Sequence, residues 1–206
     1  MTSPDAIQCG NYYHIFSRGV NRENIFIEDR NYHLFLNLYI KYCGPIVDTF
    51  AYCLLRNHFH LFVRIKTKAE IMVLSAKDTI NTLANETSPS HQFSVFLNAY
   101  SKTINKAYHR TGSLFQHPFG RVLITNHDYF NNLICYIHQN PQHHGFAKDF
   151  REWPFSSYHV YLANQETFVN RKIILEYFRN SIGYKESHTE KLNLNSIKPL
   201  ISNDFF

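Results

Sequence analysis

The stretch Asn57-His58-Phe59-His60-Leu61-Phe62-Val63-Arg64-Ile65 alternates in the way that a β-strand does. Residues two apart on a strand project from the same face of the sheet. The odd positions are apolar, which predicts that their face lies in the core. His58 and His60 then lie side by side on the opposite, polar face, where two imidazoles can hold one divalent metal ion. We therefore expect that replacing either histidine opens no large cavity.

The remaining pattern predicts an α+β domain. Alternating segments predict strands at residues 11–17, 46–55, 59–65 and 114–125, the last an edge strand or bent hairpin. Amphipathic segments predict helices at residues 28–43, 69–83, 92–110, 127–140 and 173–178, with a polar break at 85–90. This order fits a ferredoxin-like fold, in which a central antiparallel sheet carries helices on one face. The chain is expected to end in a polar, mobile tail.

The composition favours a polyanionic partner. The chain has 206 residues, 44% of them hydrophobic, with a formal net charge of +5 and a pI near 9.0. It contains 14 Tyr and 18 Phe. Exposed aromatic rings beside basic groups suit single-stranded nucleic acid, although we expect most of these rings to fill the core.

The cysteines and the N-terminus favour a cytoplasmic protein. Cys9, Cys43, Cys53 and Cys135 form no Cys-x-x-Cys pair, which argues against a zinc ribbon and against a disulfide framework. The N-terminus lacks a signal pattern, and no apolar run approaches membrane-spanning length. A reducing, cytoplasmic setting without a membrane partner is the simplest interpretation.

Several segments resemble the HUH single-tyrosine transposases, in their REP-associated branch. His58-Phe59-His60 resembles the His-hydrophobic-His motif of that family, and Tyr136-Ile137-His138-Gln139-Asn140-Pro141 resembles its tyrosine helix. Three further segments are similar to stretches common in the REP-associated branch: Tyr13–Gly19, Gly112–Gln116 and Trp153–Tyr158. The resemblance covers roughly residues 11–160 in matching order, and five motifs in order are far more specific than one His-x-His.

The resemblance implies a ferredoxin-like enzyme that cuts and joins single-stranded DNA through a covalent 5′-phosphotyrosine. It implies that Tyr136 is the nucleophile and that His58 and His60 bind Mg²⁺ or Mn²⁺. It also implies a polar third ligand one helical turn after the tyrosine, which here is Asn140, with Gln139 as the fallback.

The helix pattern places the tyrosine and its neighbours at a boundary. Tyr136 and Asn140 lie at the margin of the apolar helix face, where a side chain can meet both the sheet and solvent. Ordinary roles remain open for both, as a packed ring and as a residue favoured before Pro141. His138 is either a bystander or a proton carrier.

Basic residues are candidate phosphate contacts. Those singled out as DNA-binding are Arg18, Arg22, Lys102, Arg110 and Arg121. Arg18 and Arg22 are favoured because they lie in a loop at a strand end, whereas solvated surface charge is the alternative for each.

On the resemblance, residues 1–160 form the catalytic domain and residues 161–206 a C-terminal helical extension with its tail. The expected partner is single-stranded DNA with hairpin-bearing repeat ends. A homodimer remains open, in which Tyr136 serves either its own subunit's site or the partner's. Two other functions also remain open: a replication or mobilisation nickase, and a non-catalytic, domesticated binder of structured single-stranded DNA or RNA.

Overall fold

A four-stranded antiparallel sheet organises the chain. In the computed structural model, which describes residues 6–77, 88–126, 128–163, 165–190, 192 and 198, the strand order is β2-β3-β1-β4. The strands are β1 (Tyr12–Arg18), β2 (Val47–Leu55), β3 (His58–Ile65) and β4 (Gly120–Ile124). The helices are α1 (Asp29–Tyr42), α2 (Lys68–Lys77), α3 (Pro89–Ala107), α4 (Asp128–His143), α5 (Arg171–Tyr177) and α6 (Ser181–Thr189). This topology confirms the predicted ferredoxin-like α+β fold.

The first face of the sheet packs against α1 and α3. On this face the Phe35 ring of α1 lies 5.0 Å from the Phe59 ring of β3 and 4.7 Å from the Phe96 ring of α3, between ring centroids. The odd residues of β3 are fully buried here, as their alternation predicts: Phe59, Leu61, Val63 and Ile65. Burial of these side chains contributes about 1.5–3 kcal/mol each to stability.

The second face of the sheet is covered as well, by α4. The Phe130 ring of α4 lies 4.9 Å from the Phe62 ring of β3 and 4.8 Å from the Tyr12 ring of β1. The expectation of helices on one face only is therefore wrong. The period of two identifies which residues share a face of β3, but it does not reveal that a later helix covers the polar face.

The outer edge of β2, which faces away from β3, forms hydrogen bonds with later segments of the chain. Leu54 N donates to Phe155 O, Ser157 N donates to Tyr52 O, and the Trp153 indole N–H donates to Leu54 O, all at 2.9 Å. Further along β2, Thr49 pairs with Val169. These contacts protect an edge that would otherwise expose unpaired backbone groups.

Several predicted boundaries need correction. The helix expected at 69–83 is described only as Lys68–Lys77, and residues 78–83 lie outside the described part of the chain, as do residues 85–87 of the polar break. The predicted 127–140 helix extends to His143, with Pro141 in its last turn. Within the described residues, no helix combines the length and apolar character that crossing a bilayer requires. All four cysteines are free thiols.

The chain after α5 forms a further helix. In α6, Tyr184 and His188 are buried against α4, although residues 193–197 and 199–206 lie outside the described residues. The sequence did not identify the helix at Ser181–Thr189. A helix this short carries too weak a pattern to be recognised, and tertiary contacts stabilise it. The division of the chain at residue 160 stays a prediction.

A chain of hydrogen bonds joins α6 to α4 and to the segment beside β2. His188 Nδ1 donates to Tyr184 O at 2.7 Å, so Nε2 of the neutral ring accepts from His138 Nδ1 at 2.8 Å. His138 Nε2 then accepts from the Ser157 hydroxyl at 2.7 Å. Burial lowers the pKa of both histidines, that of His188 to about 4, which keeps the rings neutral.

We predict that His188→Ala lowers the free energy of unfolding by about 2–4 kcal/mol, because it opens a cavity and removes two buried hydrogen bonds. Urea unfolding of the full chain measures this loss. Lys185→Ala, at an exposed position of the same helix, is the matched control and should stay within about 0.5 kcal/mol.

The effect of His188→Ala on the free energy of unfolding should depend on pH. The pKa of His188 is depressed from 6.5 to about 4 in the folded protein, so its contribution is complete above about pH 6.5 and declines as the pH falls towards 4. The difference between wild type and His188→Ala should shrink across that window. A difference that is constant in pH would contradict the buried neutral ring.

Candidate functional site

The two histidines of β3 lie at the interface between the sheet and α4. His58 and His60 project from the same strand face, with ring centroids 5.1 Å apart and the ring planes at 90°. Their exposed fractions are only 4% and 1%. The expectation that they occupy an open polar face is therefore wrong, because α4 covers it, and the claim that their replacement leaves no cavity fails with it.

Tyr136 and Asn140 lie on the turn of α4 that faces these histidines. The Tyr136 ring is 6.1 Å from the His60 ring, and its exposed fraction is 1%. Asn140 is fully buried. Both were expected at a margin open to solvent, which is wrong, since the helix packs directly on the sheet. The structure thus brings the rings of His58, His60 and Tyr136 together. Asn140 lies on α4 one turn after Tyr136 and one turn before His144, whose ring is 4.8 Å from that of His58, so it belongs to the same face of the helix.

A hydrogen bond fixes the orientation of the His58 ring. Nδ1 lies 2.6 Å from Asn57 Oδ1, while the Asn57 amide nitrogen donates to Arg22 O at 3.4 Å. An amide oxygen can only accept, so His58 Nδ1 carries the hydrogen and Nε2 keeps its lone pair. Nε2 is buried and has no hydrogen-bond partner among the residues that the structure describes.

The Asn140 amide is fixed in the same way. Its nitrogen donates to Tyr136 O at 3.0 Å, one helical turn back, so Oδ1 is directed away from the helix backbone. Within the described part of the chain, this buried oxygen also lacks a hydrogen-bond partner. An unsatisfied buried acceptor costs about 1–3 kcal/mol, which makes each one informative.

His60 is oriented by a third histidine. Its Nδ1 lies 3.0 Å from Nε2 of His14 in β1, and the two rings are stacked at 22°. His14 is fully buried. Sequence reasoning missed His14, because only the β1–β3 register, which pairs Phe16 with His60, brings the two rings together.

The electrostatics keep both β3 imidazoles neutral. Burial is the main cause that lowers the pKa of His58, to about 2, and the positive charge of Arg18 acts in the same direction. Burial likewise lowers the pKa of His60. A neutral imidazole with a free lone pair is the form that binds a metal ion.

The arrangement fits a divalent cation with mixed ligands. His58 Nε2 and Asn140 Oδ1 are buried acceptors, and the remaining nitrogen of His60 belongs to the same cluster. Among the described residues, no group of three or more His, Cys, Asp or Glu side chains is suited to hold a metal ion. Two imidazoles with one amide oxygen would suit a hard or borderline ion.

Two further histidines come from the last turn of α4 and just beyond it. His143 follows Tyr136 by seven residues, with ring centroids 5.9 Å apart. The His144 ring meets the His58 ring edge-on at 4.8 Å. Sequence reasoning missed both because it ended the helix before Pro141. A spacing of seven along a continued helix was the signal that could have found His143.

Two other residues of the tyrosine helix, His138 and Gln139, face away from the β3 histidines. The Gln139 amide donates to His188 O at 2.8 Å and so faces α6 rather than the histidine pair. His138 belongs to the network with His188 and Ser157 described above. Neither lies with the β3 histidines.

The candidate DNA contacts divide into two groups. Arg18 is paired with His58 in the β1–β3 register and therefore lies on the same face of the sheet. Arg22 and Arg110 lie near the same end of β1; Arg22 O accepts from the Asn57 amide, and Arg110 forms an ion pair with Glu23 at 2.6 Å.

The other two basic candidates are not brought to the histidine pair. Arg121 lies opposite Ile15, on the face that α1 and α3 cover, and donates to Ser90 at 3.0 Å. Lys102 is exposed on α3, in the layer on that same face.

Comparisons with known proteins agree with the resemblance seen in the sequence. A Haemophilus influenzae protein named as a REP-associated tyrosine transposase is 26% identical over 112 residues. The match covers 54% of this chain and 59% of that relative, so the chain spans about three fifths of its length. No protein-family model matches.

A solved structure gives independent support for the fold. It is that of a REP-associated tyrosine transposase bound to a REP hairpin, with a TM-score of 0.57 and 19% identity. The match covers 80% of this chain and 86% of that one. The predicted similarity to this group is confirmed by both comparisons, and the fold is shared over most of the chain.

We predict that the His58 ring stays neutral from about pH 8 to pH 5, because its folded pKa is far below the ordinary value near 6.5. Nuclear magnetic resonance of the metal-free protein measures this through the ring Cε1–H shift. A histidine-containing peptide in the same buffers should titrate normally. A midpoint for His58 above pH 5 would contradict the buried geometry.

Proposed function

We propose that this chain is a metal-dependent, transposase-like enzyme that cleaves and rejoins single-stranded DNA through a covalent 5′-phosphotyrosine at Tyr136. The observation that carries the proposal is a pair of buried acceptors that have no hydrogen-bond partner among the described residues, His58 Nε2 and Asn140 Oδ1. The second of them lies one helical turn after Tyr136, whose ring is 6.1 Å from the His60 ring. His58, His60 and Asn140 hold Mg²⁺ or Mn²⁺ in this proposal. The relative named as a REP-associated tyrosine transposase supports the same class of activity.

The chemical step is a transesterification. The Tyr136 phenolic oxygen attacks the phosphorus of a phosphodiester, and the bond from phosphorus to the 3′ oxygen breaks. The strand that carries the 5′ phosphate stays attached to the tyrosine, and the other strand leaves with a 3′-OH. The proton lost by the phenol is balanced by the proton that the departing 3′ oxygen gains. Because the released 3′-OH can attack the phosphotyrosine in turn, the step is reversible and needs no nucleotide cofactor.

The residues around Tyr136 have separate tasks. A free phenol, with a pKa near 10, is a poor nucleophile at neutral pH, and a bound cation supplies charge that polarises the phosphoryl oxygens. Arg18 adds a positive charge on the same sheet face for the phosphate. Since Tyr136 and the histidines of one chain are already adjacent, we propose that each subunit uses its own tyrosine, with or without a homodimer.

The proposed partner is hairpin-bearing single-stranded DNA. The solved relative is a complex with a REP hairpin, which supports this choice of partner. The net charge of +5 favours association with phosphates, with an affinity that falls as salt rises. A splayed single strand also presents a backbone phosphate to an attacking tyrosine more readily than a stacked duplex does.

One observation favours a second function. Tyr136 is 1% exposed, so the side chains that cover it must move before a scissile phosphate reaches the phenolic oxygen. A domesticated, non-catalytic binder of structured DNA or RNA would need no such movement. A nickase would need the same movement as the proposed transposase-like enzyme, because the two share their chemistry.

We predict that Tyr136→Phe abolishes the covalent adduct with single-stranded DNA and leaves affinity within about threefold, since only the nucleophilic oxygen is lost. Denaturing gels with labelled hairpin oligonucleotides and Mn²⁺ measure the adduct, and fluorescence anisotropy measures affinity. Tyr177→Phe, a partly exposed tyrosine of α5, should form the adduct normally. An adduct that survives in Tyr136→Phe would exclude this nucleophile, and a wild type that binds without any adduct would favour the binder.

We predict that His58→Leu and Asn140→Leu each weaken Mn²⁺ binding by at least about tenfold and reduce cleavage in parallel, because each replaces a ligand atom by an apolar group. Calorimetric titration of the DNA-free protein measures the affinity. His91→Leu, at an exposed position of α3, is the control. Thermal unfolding without metal shows whether each variant is folded. Unchanged affinity in both folded variants would refute the metal site.

A further inference from the structure

We infer that His14 is a positioning residue that selects the metal-binding tautomer of His60. The inference rests on the proposed metal site and adds a residue that lies outside the His58-Phe59-His60 motif. His14 lies in the middle of β1, is fully buried, and has its Nε2 3.0 Å from His60 Nδ1. Both rings stack at 22°, so the contact is set by the packing of two central strands.

The hydrogen bond admits two arrangements with opposite consequences. When His60 Nδ1 donates and His14 Nε2 accepts, the lone pair of His60 resides on Nε2. When His14 Nε2 donates instead, His60 carries its hydrogen on Nε2, which then cannot bind a cation. Only the first arrangement is compatible with His60 as a ligand beside His58 and Asn140.

The strand geometry determines which nitrogen can reach which partner. Nδ1 of His60 is engaged with His14 across the β1–β3 pair, so Nε2 is the only nitrogen left for the cluster. His58 shows the same division, since its Nδ1 lies 2.6 Å from Asn57 Oδ1. In both rings Nδ1 meets another side chain, that of Asn57 or His14, and Nε2 is the nitrogen that would bind a metal ion.

The two supporting partners differ in one respect. The amide oxygen of Asn57 can only accept, which determines the His58 tautomer, whereas His14 can donate or accept through Nε2. His14 must therefore carry its own hydrogen on Nδ1 for the site to be competent. Loss of such a supporting partner typically weakens metal binding by about 10–100-fold.

Two substitutions of His14 test this role, and they differ in whether the new side chain can accept a hydrogen bond from His60 Nδ1. His14→Phe keeps a ring of similar size and removes the acceptor, and His14→Gln supplies an amide oxygen that can replace Nε2. We expect Mn²⁺ affinity, titrated without DNA, to fall by about 10–100-fold in His14→Phe and to recover by most of that factor in His14→Gln. Equal affinities for wild type and a folded His14→Phe would overturn the inference.

A metal-free measurement separates this inference from the proposed function. Long-range ¹H–¹⁵N correlation spectra of the wild-type histidine rings report which nitrogen is protonated. We expect His60 to carry its hydrogen on Nδ1 in wild type and to lose that preference in His14→Phe. A His60 protonated on Nε2 in wild type would overturn the role of His14, even if the protein binds Mn²⁺. If His60 has the expected tautomer but wild type neither binds Mn²⁺ nor forms an adduct, the proposed function fails and the hydrogen-bond assignment stands.

Discussion

The packing of α4 on the second face of the sheet is the constraint on which the candidate site depends. Without α4, the even residues of β3 would be a solvated polar row, as their sequence suggests. With it, His58 and His60 are enclosed with Asn140 and Tyr136, and Phe130 anchors the helix on Phe62. Enclosure excludes water, which strengthens every electrostatic interaction within the cluster and raises the cost of each unsatisfied group.

The sequence predicts the fold well because its information is local and redundant. The alternation of β3 identifies its core face, the helices that pack on that face have clear apolar stripes, and the element order admits few topologies. The site is predictable to the extent that it follows from the same periodicities. His58 and His60 share a face because they are two apart, and Tyr136 and Asn140 share a turn because they are four apart.

What the sequence does not predict depends on contacts between distant segments. His14 reaches His60 only through the β1–β3 register, and the burial of the β3 histidines depends on where α4 docks. Helix α6 is stabilised by His188 and Tyr184 against α4 rather than by its own pattern. Charge is ambiguous in sequence as well: Arg18 and Arg121 are both candidate phosphate contacts, yet cross-strand pairing places them on opposite faces of the sheet.

Helix α4 carries two buried polar clusters, and the contrast between them bears most directly on function. Towards α6, every ring nitrogen of His138 and His188 has a hydrogen-bond partner, which is how proteins ordinarily treat buried imidazoles. Towards β3, His58 Nε2 and Asn140 Oδ1 have none within the described residues, although neighbouring hydrogen bonds hold both groups in place. Oriented acceptors that are buried and left unsatisfied cost about 1–3 kcal/mol each. Under the proposed function a divalent cation would offset that cost, whereas a purely structural cluster would be expected to satisfy its own polar groups as the His138 network does.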